Sequence, residues 1–237
     1  MEVLISNAPV IAVAGMDFEA RIASGQGIKA LYGQDREIYL KELHSLAGAG
    51  ARGIISFGTA GGLSPSLRPG DVVVGESVLT ANSRLKTSAA WSKSLLKALP
   101  HAHHVPIFGA EAPVLSLLEK EALWSGTGAA AVDMESRFSA ELAMTYGIPY
   151  AVLRVIIDPA ERSIPLSAMA GVRSNGTTDV LAVLRSVMRR PREVASIIRL
   201  AGDSRKANKS LFRCCQAVGP CFGLGLLDAS ELALDMA

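Results

Sequence analysis

Little in this chain points to a polyanion partner, a membrane span or a metal. Its 24 Lys and Arg against 22 Asp and Glu leave a formal net charge of +2 over 237 residues, too little for the electrostatic footprint of a nucleic-acid-binding protein. No apolar run reaches the roughly 18 residues of a membrane span. The opening Met1-Glu2-Val3 lacks the basic region of a secretory signal. A cytoplasmic protein is the expectation. Cysteine is scarce, and Cys214, Cys215 and Cys221 crowd into one late segment. They form neither an even disulfide framework nor a Cys-x-x-Cys zinc spacing, so reduced, packed thiols are expected. His101-x-His103-His104 has no neighbouring Cys or acid to complete a ligand set and reads as a solvated loop. No metal or cofactor is expected. No repeat, low-complexity tract or linker divides the chain, which is long enough for a substantial core in a single domain spanning residues 1–237.

What is present is an alternation of strands and helices. Apolar runs at 10–14, 53–57, 71–75, 105–109, 129–132 and 150–157 read as strands. The runs 129–132 and 150–157 have the unbroken apolar character of buried parallel strands. Helices are expected at 17–24, 35–47, 91–99, 116–124 and 135–146, several closed by glycine. Two more follow at 177–188 and 191–201, the second with Pro191 at its first position, where the missing N–H is harmless. Arg185, Arg189, Arg190, Arg192, Arg199, Arg205, Lys206 and Lys209 make this C-terminal segment, 177–237, basic. Such a segment is a solvated helix face or an attachment to an acidic membrane surface or phosphate-bearing partner. Trp91 and Trp124 read as core or interface anchors.

Three acids stand where these elements meet. Glu19 follows the first strand, Glu135 ends the fifth, and Asp158 ends the sixth; in open α/β sheets the strand ends are where ligands bind. Each alone has an ordinary explanation: an acid in a first helical turn, an acid at a helix N-terminus, or a strand-end residue accepting turn N–H groups. Jointly they suggest carboxylate chemistry on a small molecule.

The segment Gly58-Thr59-Ala60-Gly61-Gly62 reads as a loop whose backbone could approach a ligand closely. A dinucleotide or P-loop motif would run directly into a helix. Pro65, Pro69 and Gly70 forbid one here, which argues against a nicotinamide dehydrogenase and an ATPase.

Four motifs in register carry a resemblance over roughly the first 160 residues. They are Gly15-Met16-Asp17-Phe18-Glu19, then Gly58-Thr59-Ala60-Gly61-Gly62-Leu63 with Arg68-Pro69-Gly70-Asp71-Val72-Val73, then Val132-Asp133-Met134-Glu135-Ser136, and Leu153-Arg154-Val155-Ile156-Ile157-Asp158. Together they resemble the nucleoside phosphorylase and nucleosidase superfamily, and within it the methylthioadenosine and S-adenosylhomocysteine nucleosidases. Glu111-Ala112-Pro113-Val114, Thr127-Gly128-Ala129 and Arg199-Leu200-Ala201-Gly202-Asp203 look more like the hopanoid-associated branch, which acts on adenosylhopane, a bacterial lipid intermediate.

The resemblance implies a three-layer α/β/α sandwich around a central mixed sheet, a homodimer or larger assembly, and cleavage of a ribosyl–base bond. It implies that Asp158 protonates the purine at N7, Glu135 binds ribose hydroxyls with Met134 against the sugar, and Glu19 activates water. Thr59, Gly61 and Val114 complete the implied substrate contacts. The substrate is then a small nucleoside, with a lipid tail if the hopanoid-associated likeness holds; residues 79–91, with Leu85, Ala89 and Ala90, could line an apolar entrance for it, and peripheral contact with the inner membrane would accompany it.

Those residue types suit that chemistry. An N-glycosidic bond breaks through an oxocarbenium-like sugar, so the leaving base needs a proton, the ribose needs stabilisation, and a nucleophile must arrive on the opposite face. Asp158 must be protonated near neutral pH, which calls for burial or nearby carboxylates; Glu135 is expected to stay ionised. Phosphorolysis would instead require a dianion site, built from arginines and backbone N–H groups. Related phosphorylases have arginines where this chain has Glu19 and Phe57, which favours water. Arg21 and Arg52 keep phosphorolysis as the alternative, and a non-catalytic nucleoside-binding protein is a third reading. Pro113 stands where the methylthioadenosine enzymes stack an aromatic residue.

Overall fold

The structure, a computed structural model, describes residues 8–33, 36–171, 176–177 and 179–227; the expected helix start at Asp35 and the last ten residues of the C-terminal segment lie outside them. In chain order the elements are β1 (Val10–Ala14), α1 (Asp17–Ala23), β2 (Ile28–Tyr32), α2 (Arg36–Gly48), β3 (Gly53–Gly62), β4 (Val72–Leu79), β5 (Arg84–Lys86), α3 (Ala89–Ala98), β6 (His103–Gly109), α4 (Leu117–Thr127), β7 (Ala131–Asp133), α5 (Ser136–Tyr146), β8 (Tyr150–Asp158), α6 (Leu166–Met169), α7 (Val180–Arg189) and α8 (Val194–Val218).

The strands form one mixed sheet. β1 pairs in parallel with β2 and β3, and β3 in parallel with β8. β8 then runs antiparallel to β4, and β4 parallel to β6, which is parallel to β7. β7 returns to the end of β3, pairing Gly61 with Val132 and Gly62 with Ala131. Strands β3, β8, β4, β6 and β7 therefore close a hydrogen-bonded ring, and β1 and β2 extend the sheet beyond it.

Side-chain alternation along the strands builds two cores, one on each face. Ile11, Val13, Ile54 and Val152 pack with Tyr39, Leu43 and Ala47 of α2 and Ala140 and Ala143 of α5. Val10, Ala12, Ile55, Phe57, Leu153 and Val155 face the other way, onto Trp91 and Leu95 of α3 and Ala207, Leu211, Cys214 and Val218 of α8. This is the expected α/β arrangement of helices over both faces of a mixed sheet. Trp91 anchors the second core, its indole N–H donating to the Phe222 carbonyl at 2.8 Å.

Beyond β2, β5 and α6, which the sequence reading did not name, three elements depart from it. The glycine segment is not a loop: β3 continues through it to Gly62, with a register shift between Ala60 and Gly61 that turns the strand end towards β7. Periodicity failed there because glycine carries no side chain to mark a face. The last long helix runs 25 residues, well past 201, its buried stripe Asp203, Ala207, Leu211, Cys214 and Val218 spaced by three and four as a packed helix requires. His103 and His104 belong to strand β6 rather than to a loop. All three cysteines are free thiols, and burial pushes the Cys214 thiol up to about 11.

Candidate functional site

The ends of β1, β3, β7 and β8 surround a cavity of about 630 Å³. Glu19, Thr59, Gly61, Val114, Met134, Glu135 and Asp158 all line it, so the structure brings the seven residues expected at the reaction centre and substrate contacts to one place. Leu85, Ala89 and Ala90 are not among its lining residues, and Leu85 is buried. Of residues 79–91, Leu79 alone comes near, packed in one cluster with the lining residues Val114 and Val132. The outer wall of the cavity comes instead from Pro113, Val114, Ile164 and Met169.

Glu19 is 1% exposed and closely held. Its Oε2 accepts the backbone N–H groups of Gly15 and Met16, each at 3.0 Å, which caps α1. Its Oε1 accepts from Thr59 N at 2.8 Å and from Thr59 Oγ1 at 2.7 Å. The helix-cap explanation is thus true and incomplete, since half of the carboxylate is tied to β3. The Thr59 hydroxyl is the one rotatable donor of the four; when it turns away, Oε1 keeps the Thr59 N–H and has one lone pair open to a ligand. The approach is possible only because residue 58 is glycine. Gly58 has φ +149°, and a Cβ there would lie 2.6 Å from Glu19 Oε2.

Glu135 precedes α5 and contacts Arg154 Nη2 at 3.1 Å. Arg154, fully buried in the middle of β8, also pairs with Asp133 at 2.7 Å through Nε and donates to Ser56 and to the Thr59 carbonyl. Burial opposes its charge, but Asp133, Glu135 and Glu19 together hold its pKa above the usual guanidinium value. Burial likewise pushes the Glu135 carboxyl up to about 7, with Arg154 opposing and Asp133 and Glu19 adding to the rise. The ionised form expected of Glu135 from the sequence is the one that Arg154 favours against burial. Gly15 leaves room for it, because a Cβ there would sit 2.6 Å from Glu135 Oε1.

Asp158, 5% exposed, ends β8. Burial raises its pKa, the direction expected, and the largest opposing influence is Lys120. Lys120 Nζ donates to Asp158 Oδ2 and, at 2.8 Å each, to the carbonyls of Pro159 and Arg162. Its three ammonium donors are thus all used. The local cause is the start of α4. Ser116 and Glu119 bond reciprocally, 2.9 Å from Ser116 N to Glu119 Oε2 and 3.2 Å from Glu119 N to Ser116 Oγ. This capping box fixes the first turn and turns residue 120 inward.

Sequence reasoning missed Lys120, Arg154, Asp133, Tyr39 and Phe138 as parts of this centre. Arg154 had a signal, a lone cation inside an apolar strand. Lys120 had none, because Glu-Lys-Glu in a helix reads as solvated surface. Tyr39 and Phe138 line the cavity and meet edge to face, with centroids 5.4 Å apart. The Tyr39 hydroxyl is buried and has no hydrogen-bond partner among the described residues.

The arrangement is a pocket with one carboxylate tied to a hydroxyl, one paired with a buried arginine, and a third beside a buried lysine. The sequence pattern of the phosphorylase superfamily matches residues 23–196, more than half of the chain. The chain belongs to the phosphorylase superfamily. Solved structures of the same fold include futalosine hydrolase of Helicobacter pylori strain 26695, with TM-score 0.62 and 16% identity over 89% of this chain and 97% of that one. A 5'-methylthioadenosine/S-adenosylhomocysteine nucleosidase from Helicobacter pylori, bound to butyl-thio-DADMe-Immucillin-A, gives TM-score 0.57 and 17% identity over 88% and 97%. The S-adenosylhomocysteine nucleosidase of Streptococcus pyogenes, in complex with 5-methylthiotubericidin, gives 0.56 and 16% over 66% and 86%. At these identities the likeness is one of fold. No curated protein matches the sequence. In this phosphorylase-superfamily chain the arginines weighed for phosphate lie away from the cavity. Arg21 is 78% exposed in its side chain and paired with Asp17, and Arg52 precedes the far end of β3. Among the described lining residues Arg137 is the one cation, and it is paired with Glu111 and Glu141.

Proposed function

We propose that this protein hydrolyses the N-glycosidic bond of a 5'-substituted adenosine and releases adenine. The observation that carries this reading is the convergence of Glu19, Glu135 and Asp158 on one cavity with no free arginine among its described lining residues. Asp158 gives a proton to the purine at N7, and Lys120 stabilises the carboxylate left behind. Glu135, oriented by Arg154, accepts the ribose hydroxyls, with Met134 and Tyr39 beside the sugar. Glu19, released on one side by Thr59, draws a proton from water on the opposite face. Gly61 leaves room for Val132 and the Asp158 carboxylate, which a Cβ there would meet at 3.2 Å and 3.5 Å.

The half-exposed Met134 and the apolar wall of Val114, Ile164 and Met169 suit an apolar 5' substituent, up to a lipid tail. Adenosylhopane is the substrate that the likeness to the hopanoid-associated branch suggests, and a homodimer is the assembly that the superfamily resemblance suggests. Phosphorolysis is disfavoured by a carboxylate, Glu19, at the nucleophile position.

The deciding experiment is chromatographic detection of adenine from 5'-alkyl adenosines with and without inorganic phosphate. Release at the same rate in both is expected; a requirement for phosphate would mean that Glu19 has another role, and tight binding without product would leave a nucleoside-binding protein.

The Glu135 carboxyl adds a pH prediction. Ribose hydroxyls donate to its ionised form, so affinity is full above pH 7 and is lost as pH falls through about 7, by ~10-fold per further unit. KM measured against pH should rise on the acid side, and Glu135→Gln should raise KM and remove the dependence. A flat KM profile in the unmodified protein would show that Glu135 does not carry the sugar.

A further inference from the structure

The outer face of α7 is apolar, and none of the described residues covers it. Leu181, Leu184 and Met188 are 62%, 53% and 75% exposed, and their spacing of three and four places them in one stripe. The inner face is already satisfied. Val183 lies against Gly171, and Ser186 Oγ donates to Ser167 Oγ at 3.1 Å. A surface helix of a globular protein needs one apolar stripe; this one has two. Beyond the kink at 191–193, Val194 and Ile198 at the start of α8 are exposed as well.

Arginine borders these side chains along one side of the helix. Residues 180–199 hold Arg185, Arg189, Arg190, Arg192 and Arg199 against Glu193 alone, in a chain whose net charge is only +2. All five are exposed. Arg190 lies 3.8 Å from Glu193, and Glu193 is otherwise engaged with the Ser167 backbone N–H at 2.9 Å.

We propose that this face docks the protein on an anionic lipid surface. Apolar side chains flanked by cations are what an interfacial helix presents to a bilayer, the stripe entering the acyl boundary and the arginines reaching the headgroups. A second copy of the chain is a poorer occupant. A two-fold contact centred on the stripe would set Arg185 against its own counterpart, and like charges facing each other oppose association. The face also lies next to the cavity wall. Ser167 of α6 bonds to both Ser186 of α7 and Glu193, and the same four-residue helix carries Met169 into the cavity and leaves Leu166 exposed. The docking stands apart from the reaction proposed above, and either can fail without the other.

The test is co-sedimentation of the full chain with vesicles of phosphatidylcholine alone and of phosphatidylcholine with about a third phosphatidylglycerol. Sedimentation with the anionic vesicles and not the neutral ones is expected, weakening as salt is raised. Leu184→Glu combined with Met188→Glu should lower the partition at least ~10-fold, and Arg189→Gln about fivefold, matching ~1 kcal/mol per basic residue at such a surface. Unchanged melting temperatures would show both variants folded. No sedimentation with anionic vesicles, or variants that sediment like the parent, would overturn the proposal. So would sedimentation velocity showing that the double variant turns a dimer into a monomer, since the face would then join two copies.

Discussion

Asp158→Asn is expected to lower kcat for adenine release by about 10²- to 10⁴-fold, the usual contribution of a positioned general acid, while KM moves little. Asparagine keeps the size of the side chain and can still donate a hydrogen bond to N7, but it cannot give up a proton. A loss in kcat and kcat/KM together is the mark of an interaction made only in the transition state. The structure supports the assignment on two grounds: the carboxyl is buried at the cavity, and burial raises its pKa. Because the proposed reaction uses the protonated form, kcat should fall as pH rises through that raised value, opposite in sign to the fall in affinity expected from Glu135. The two slopes make kcat/KM bell-shaped. Turnover of Asp158→Asn within a few fold of the parent would move the acid elsewhere, and Lys120 is the nearest buried group able to donate.

Lys120→Met should act in the reverse direction on pH. An opposite charge in contact with a carboxylate typically lowers its pKa by about 1–3 units, so removing the ammonium should move the alkaline limb of kcat upward by about that amount. The same change makes Asp158 a weaker acid, because no cation remains to stabilise the carboxylate after the proton has left, and the low-pH plateau of kcat should drop. Stability is affected as well. Lys120 is 1% exposed and holds the carbonyls of Pro159 and Arg162 as well as Asp158, and breaking such a buried pair from one side costs about 3–5 kcal/mol. Denaturant unfolding would read that loss and the pH–rate profile the other. An unmoved alkaline limb would mean that Lys120 only fastens the segment after β8.

The sequence disclosed the acids because their backbone context is local. Asp158 ends an apolar run, Glu135 opens a helix after a short one, and Glu19 sits one turn into the helix after the first strand; these positions need no knowledge of what lies across the sheet. What surrounds the acids is not local. Lys120 reaches Asp158 across 38 positions and Thr59 reaches Glu19 across 40, and neither residue type announces such a partner. Arg154 was visible within a motif but not as a partner of Asp133 and Glu135, since that pairing depends on β8 lying beside β3. The end of β3 was misjudged for a related reason. Glycine signals turns, yet here it permits close approach: Gly58 to Glu19 and Arg154, Gly61 to Val132. The C-terminal helix was read too short because its charged residues hid a buried stripe that only the neighbouring sheet reveals.

The return of β7 to the tip of β3 has a mechanical meaning. Thr59, which holds Glu19, lies on β3, Glu135 two residues beyond β7, and Asp158 on β8, and these strands are members of one continuous ring. No member can slide without breaking ladder bonds on both sides, so the spacing of the three acids is set by a closed frame and does not follow the motions of any loop. The wall formed by Val114, Ile164 and Met169 lies outside that frame, on connecting segments and a four-residue helix. Under the reaction proposed above, acids and wall are therefore mechanically separate, and a preference for the 5' substituent could be redesigned on the wall while the spacing of the acids stays as it is.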